Sequence, residues 1–114
     1  PIRSPEVIGY DNQFYKLNSK ARRIYSKLTK KVFTTRISGS AQYDAALITM
    51  GKIHGRIFNN TMSYDISPCI PIIIGAKGIV SDFNDKPVNA CSKTVILSSG
   101  KNIHKKLLLA TSIR

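Results

Sequence analysis

Asp65 is the carboxylate of this chain best placed to do chemistry. It follows Tyr64 and leads the stretch Ser63 to Gly78, S-Y-D-I-S-P-C-I-P-I-I-I-G-A-K-G, where a loop gives way to an apolar helix and then to the strand-like Ile79 to Phe83. A carboxylate at a helix start can cap the free N–H groups of the first turn. Beside the carboxyl ends of strands the same group is placed to hold a cation. The second candidate is Gly39-Ser40-Ala41. Its glycine lets the backbone approach an anion, and the N–H groups of the helix that follows suit a phosphate. An ordinary capped helix start would use the same residues. Ser40 is not read as a nucleophile, because neither His54 nor His104 stands at an activating spacing. The chain's other acids are Glu6, Asp11, Asp44, Asp82 and Asp85. Cys69 and Cys91 are expected to be free thiols, Cys69 in the core, and with the two histidines they give no zinc spacing.

The elements that position these groups alternate. Ala21, Ile24, Tyr25 and Leu28 share a helical face over Asn18 to Lys31, capped by Asn18 or Ser19. Val32 to Ile37 is a short strand, Ala41 to Met50 a helix with Tyr43, Leu47 and Met50 on one face, and Gly51 ends it. Ile53 to Phe58 is a strand, and Asn59 to Met62 the loop that delivers Asp65. In the central helix Pro68 takes a tolerated early position, while Pro71 should kink the helix or break its ladder. The strand Ile79 to Phe83, a turn at Asn84 to Pro87, a strand at Thr94 to Leu97 and a closing helix from Asn102 to Thr111 complete the chain. That helix turns Ile103, Leu107 and Ala110 inward. The expected fold is α/β, a mixed β-sheet with flanking helices. Residues 1–114 read as one domain, with 1–17 an irregular opening segment and a short helix at Gln13 to Leu17.

Composition sets bounds. A chain of 114 residues buries only about two-thirds of the surface its unfolded form exposes, so core gaps are costly. No run approaches the roughly 18 to 20 apolar residues a bilayer requires. No secretory signal opens the chain, and a soluble cytoplasmic protein is the expectation. Eighteen basic residues against six acidic ones give a formal charge of +12, which attracts phosphate-bearing partners.

Several blocks together resemble the inositol monophosphatase family. Tyr64-Asp65, then Pro71 to Gly78, then Ile79 to Phe83 look like its carboxyl-terminal signature, an aromatic-Asp pair leading a helix and a strand. Ser38-Gly39-Ser40-Ala41 is similar to its Gly-Ser/Thr-Ala turn, and Ala45 to Gly51 to the helix and glycine that follow. The proline inside the helix and the Gly-Ala after it look most like the histidinol-phosphatase-like branch. The resemblance covers roughly residues 30 to 110. It implies the fold of that family's carboxyl-terminal domain and Mg²⁺-dependent hydrolysis of small phosphorylated alcohols by metal-activated water. Asp65 becomes a Mg²⁺ ligand, and Gly39, Ser40 and Ala41 contact phosphate and substrate. The family's amino-terminal Glu and its Asp-Pro-x-Asp-Gly-Thr motif are not in this sequence. Phe58 stands where many members place a substrate-reading Glu, Ile74 where the helix-ending motif has Glu, and Lys77 where it has Gly. The resemblance therefore implies a carboxyl-terminal half, incomplete or inactive alone, with an amino-terminal half or a second copy as its partner.

The alternative is a basic remnant without chemistry that binds a partner chain or nucleic acid. An incomplete fold would leave Ile72, Ile73, Ile74 and Val80 as apolar surface for such a partner. The basic helix over 18–31 and the cluster Lys101 to Lys106 could follow a phosphate backbone, with Tyr15, Tyr25 and Phe33 stacking on bases. Nucleic acid is the weaker reading, because no recognition motif is legible and the aromatics suit the core.

Overall fold

A computed structural model describes residues 6–10, 19–32, 34–61, 66–89 and 91–112. Among these described residues five strands form one mixed sheet in the order β2-β1-β3-β5-β4, where β1 is Val7–Gly9, β2 Thr34–Arg36, β3 Gly55–Phe58, β4 Ile79–Ser81 and β5 Val95–Ser98. β1 runs parallel to both β2 and β3, while β5 is antiparallel to β3 and to β4. Helices α1 (Ser19–Thr29), α2 (Ala41–Thr49), α3 (Cys69–Gly75) and α4 (Lys101–Thr111) cover its two faces.

The expected alternation of strands and helices is present, and the central strands show why it leads to layers. Each β3 and β5 residue is buried, so the strands feed two cores at once. Ile57 and Ile96 join Ile8, Ile24, Leu28 and Leu107 beneath α1 and α4. Phe58, Val95 and Leu97 join Ala45, Ile48, Cys69 and Ile73 beneath α2 and α3. The inward faces of α1 and α4 are those the periodicity marks, with Ala21, Ile24, Leu28, Ile103, Leu107 and Ala110 all buried. Cys69 is a buried free thiol and Cys91 an exposed one. No helix among the described residues is long and apolar enough to cross a membrane.

Three expectations need correction. The opening segment 1–17 is not irregular at Val7–Gly9, which forms β1 between β2 and β3. Three residues are too few for a periodic signal, and the last of them, Gly9, is a residue depleted in strands. The helix expected at Gln13 to Leu17 and the cap Asn18 lie outside the described residues. On α2 the buried residues are Asp44, Ala45 and Ile48, whereas Tyr43 and Met50 are exposed, so the apolar face expected of Tyr43, Leu47 and Met50 points largely outward. Finally, of the expected surface residues, Ile72 and Ile74 are exposed, but Ile73 is fully buried and Val80 half-buried.

The central helix is broken as its prolines require. Ile66 is helical, Ser67 and Pro68 form a turn, and α3 begins at Cys69 with Pro68 at its N-cap. Pro71 has no N–H for the carbonyl four residues earlier, and that residue is Ser67, in the interrupting turn. The N-cap of α3 is Pro68, and Asp65, expected as a cap further upstream, lies outside the described residues.

Candidate functional site

Because β1, β2 and β3 are parallel, their carboxyl ends share one edge of the sheet. The chain leaves β1 for β2 through α1 on one face, then returns from β2 past β1 to β3 through α2 on the other face. The strand order reverses at β1, and in open α/β sheets the crevice at such a point is where ligands collect. Two expected features leave this edge. One is the Gly39-Ser40-Ala41 turn after β2, and the other is the segment 59–61 after β3 that leads to Asp65.

The turn is built for close approach. Gly39 has φ 79°, a left-handed conformation that glycine adopts freely. Ser40 then takes an extended backbone as the N-cap of α2, and its Oγ accepts from the Tyr43 N–H at 3.2 Å. That bond satisfies one of the four unpaired donors at a helix start; the N–H groups of Ala41 and Gln42 belong to the same set. Ser40 is thus a cap whose hydroxyl is engaged, with backbone donors beside it. Ser38 locks the turn from the other side: its hydroxyl donates to Asp44 Oδ1 at 2.8 Å and accepts from the Ser40 N–H at 3.2 Å.

Asp44 is 1% exposed and Arg56 5%, and they meet at 2.5 Å between Asp44 Oδ2 and Arg56 Nη1. Burial without a partner would cost either group several kcal/mol, about the penalty of an isolated ion in a low dielectric. The pair holds α2 to β3 directly beneath the turn. Gly9 makes room for it, since a β-carbon there would lie 2.8 Å from Asp44 Oδ2 and 2.9 Å from Arg56 Cδ. The Arg56 guanidinium also lies 4.3 Å from the centre of the Phe58 ring, and Phe58 is buried. The pair was not legible as a site, yet a signal exists: Asp44 is the one charge in α2, and Arg56 the one charge in β3. Oppositely signed lone charges in two adjoining apolar elements are candidates for each other.

Asp65, with Met62, Ser63 and Tyr64, lies outside the described residues. On either side, the Thr61 N–H donates to the Lys93 carbonyl at 2.9 Å and Ile66 is buried. A cavity of about 180 Å³ opens here, lined by Ile66, Ser67, Ile70, Val88, Asn89, Ser92 and Val95. None of these side chains is ionisable. Among the described residues no group of three or more His, Cys, Asp or Glu could hold a metal ion. Asp44, the acid nearest the turn, is committed to Arg56 and Ser38. The described residues therefore do not fit a Mg²⁺ site by themselves.

His104 forms a second polar cluster, on the opposite face of the sheet. It is buried on α4 between Ser81 of β4 and Ser98 of β5, with Nε2 2.7 Å from Ser81 Oγ and Nδ1 2.8 Å from Ser98 Oγ. Ser81 Oγ also lies 2.8 Å from the Asp82 carbonyl, whereas Ser98 Oγ is 3.3 Å from that of Gly100. A neutral imidazole needs one donor and one acceptor, and the arrangement that keeps the shorter bond has Ser98 donating to Nδ1 and Nε2–H donating to Ser81. Burial lowers the His104 pKa, opposed by Asp85 at 3.9 Å, whose side chain is exposed. The cluster joins α4 to the antiparallel end of the sheet.

Comparison with known proteins bears on the edge. The model of the inositol monophosphatase family matches residues 10–113. A fructose-1,6-bisphosphatase/inositol-1-monophosphatase of Thermotoga maritima is 30% identical over 95 residues, which are 83% of this chain and 36% of that protein. The solved structure of a Thermotoga maritima IMPase superposes with a TM-score of 0.82 at 26% identity, over 96% of this chain and 41% of that one. An IMPase/NADP phosphatase solved with Mg²⁺ and phosphate has the same fold, with a TM-score of 0.77 at 17% identity, over 99% of this chain and 42% of that one. The chain thus spans well under half the length of each of these relatives.

Proposed function

The chain belongs to the inositol monophosphatase family, and from that membership we propose that it is the carboxyl-terminal portion of a Mg²⁺-dependent phosphomonoesterase acting on a small phosphorylated alcohol. The observation that carries the reading is the convergence at one sheet edge. The Gly39-Ser40-Ala41 turn and the segment leading to Asp65 leave the two strands that flank β1, where the strand order reverses. In this reading the backbone of Gly39 and the N–H groups at the start of α2 receive phosphate oxygens, and Asp65 is one ligand of the cation.

One carboxylate does not make the metal site of such an enzyme, and Asp44 has no free oxygen to add. The remaining ligands come from outside this chain, from an amino-terminal portion or a second copy. The exposed apolar side chains Tyr43, Ile72 and Ile74 on the α2 and α3 layer favour such a covering chain. The chain alone is accordingly inactive.

The test is phosphate release from a panel of small phosphomonoesters, with and without Mg²⁺, by this chain and its Asp65→Asn variant. The reading expects no turnover from either alone. It also expects metal-dependent turnover, lost in Asp65→Asn, when the amino-terminal portion of the Thermotoga maritima relative is supplied as a separate chain. Metal-independent turnover, or turnover indifferent to Asp65, would sink it.

A further inference from the structure

The two helix layers differ sharply in charge. Half of the eighteen Lys and Arg residues fall within residues 20–31 and 101–106, on or next to α1 and α4. Neither helix contains an acid. Helices α2 and α3, on the other face, contain no Lys or Arg at all. Since α1 and α4 pack on one core and touch each other, their charges lie on one side of the molecule. Arg22, Lys30, Lys101 and Lys105 are exposed, and Lys27 and Lys31 half-buried. Glu6 offsets one charge of the layer by accepting from Lys106 at 2.6 Å.

This placement opposes helix stability in two ways. Lys101 begins α4 and Arg22 lies in the first turn of α1, where the positive end of the helix dipole repels cations. Arg23 and Lys27 in α1, and likewise Lys101 and Lys105 in α4, are four residues apart, a spacing at which like charges destabilise a helix. A polyanion lying across the layer would relieve both.

The geometry points to a sequence-independent binding surface for the phosphate backbone of a nucleic-acid duplex on the outer face of α1 and α4. The other polyanionic surface, a membrane, is disfavoured because an interfacial helix must bury an apolar face in lipid. Here most of the apolar side chains of the two helices are spent on the core: Ile24, Leu28 and Leu107 are fully buried, and the single outward Leu109, 53% exposed, is too little for a lipid-facing stripe. Single strands are disfavoured because they need aromatic platforms. Tyr10 is buried, and the half-buried Tyr25 packs on it with ring centroids 5.0 Å apart and shares a 2.8 Å hydrogen bond with Thr35. Tyr15 and Phe33 lie outside the described residues.

The experiment measures binding of the full chain to a labelled 20-base-pair duplex of mixed sequence as salt is varied. Parallel arms use a single strand of one duplex sequence and vesicles of phosphatidylserine and phosphatidylcholine. The variant Lys30→Glu/Lys105→Glu reverses two charges of the layer, and Lys52→Glu/Lys86→Glu reverses two exposed charges elsewhere at equal net charge. Circular dichroism checks that both fold. The layer variant should weaken duplex binding by about tenfold or more at 0.1 M salt and reduce the slope of log K against log salt by about two, one for each phosphate no longer neutralised. The control should change binding less than about threefold. Equal weakening by the two variants, tighter binding of the single strand, binding of vesicles alone, or no duplex binding at low salt would each overturn the proposal.

Discussion

Arg56 on the central strand β3 and Asp44 on α2 form a buried ion pair at 2.5 Å, and the second oxygen of Asp44 accepts a hydrogen bond from the Ser38 hydroxyl at 2.8 Å. The Gly39-Ser40-Ala41 turn, proposed above to receive phosphate, is thereby anchored, through two side chains, to the middle of the sheet. Asp44→Leu or Arg56→Met should each destabilise the chain by about 3–5 kcal/mol, since either leaves a buried charge uncompensated. The double variant Asp44→Leu/Arg56→Met should lose less than either single change. Urea denaturation of the four proteins checks this, and additive losses would show that the two groups do not act as a pair.

Gly9→Ala should also destabilise, because the new methyl must displace Asp44 Oδ2 and Arg56 Cδ, both within 3 Å of where it would stand. Overpacking of this kind costs about 1–3 kcal/mol. In the background of Asp44→Leu/Arg56→Met the cost should change, and a double-mutant cycle reads the coupling.

Two helices end in the same hydrogen-bonded motif with different residues at its left-handed position. After α2, Gly51 has φ 74°, and the N–H groups of Gly51 and Lys52 donate to Ile48 and Leu47. After α3, Lys77 has φ 65°, with Lys77 and Gly78 donating to Ile74 and Ile73. A side chain in this conformation costs roughly 1–2 kcal/mol, so Lys77→Gly should stabilise the chain by about 1 kcal/mol and Gly51→Lys should destabilise it similarly. Thermal denaturation decides, and a loss of stability in Lys77→Gly would contradict the backbone assignment.

His104 sets a pH dependence. Its pKa in the folded chain is below the usual 6.5 because burial disfavours the imidazolium. The unfolded chain therefore binds the proton more readily, and stability present above pH 6.5 is lost as pH falls toward the folded pKa. In His104→Gln this part of the pH dependence should vanish. In Asp85→Asn it should grow, because Asp85 is the charge that favours the protonated ring. Identical profiles for wild type and His104→Gln between pH 7.5 and 5 would remove the assignment.

Much of this was written in the sequence at the scale where periodicity and turn chemistry operate. The inward face of α1 follows from Ala21, Ile24 and Leu28 at helical spacing, and the break before α3 from Pro71. What the sequence hid depends on long-range pairing. β1 is three residues long and is a strand because β2 and β3 flank it. Tyr43 and Met50 fit an inward face as well as Ala45 and Ile48 do, and the choice is made by where Asp44 finds Arg56. Likewise, Ser81, Ser98 and His104 are distant in sequence, and only the sheet brings them together. The Gly39-Ser40-Ala41 turn was legible because its chemistry is local: a glycine with φ 79° and a serine cap.

Titration of the isotope-labelled chain with inorganic phosphate, followed residue by residue through the backbone amides, tests the central claim most directly. The phosphatase reading predicts saturable shifts at Gly39, Ser40, Ala41 and Gln42, separable from any weaker, salt-sensitive shifts on α1 and α4. Shifts confined to those two basic helices, or none at the start of α2, would contradict it.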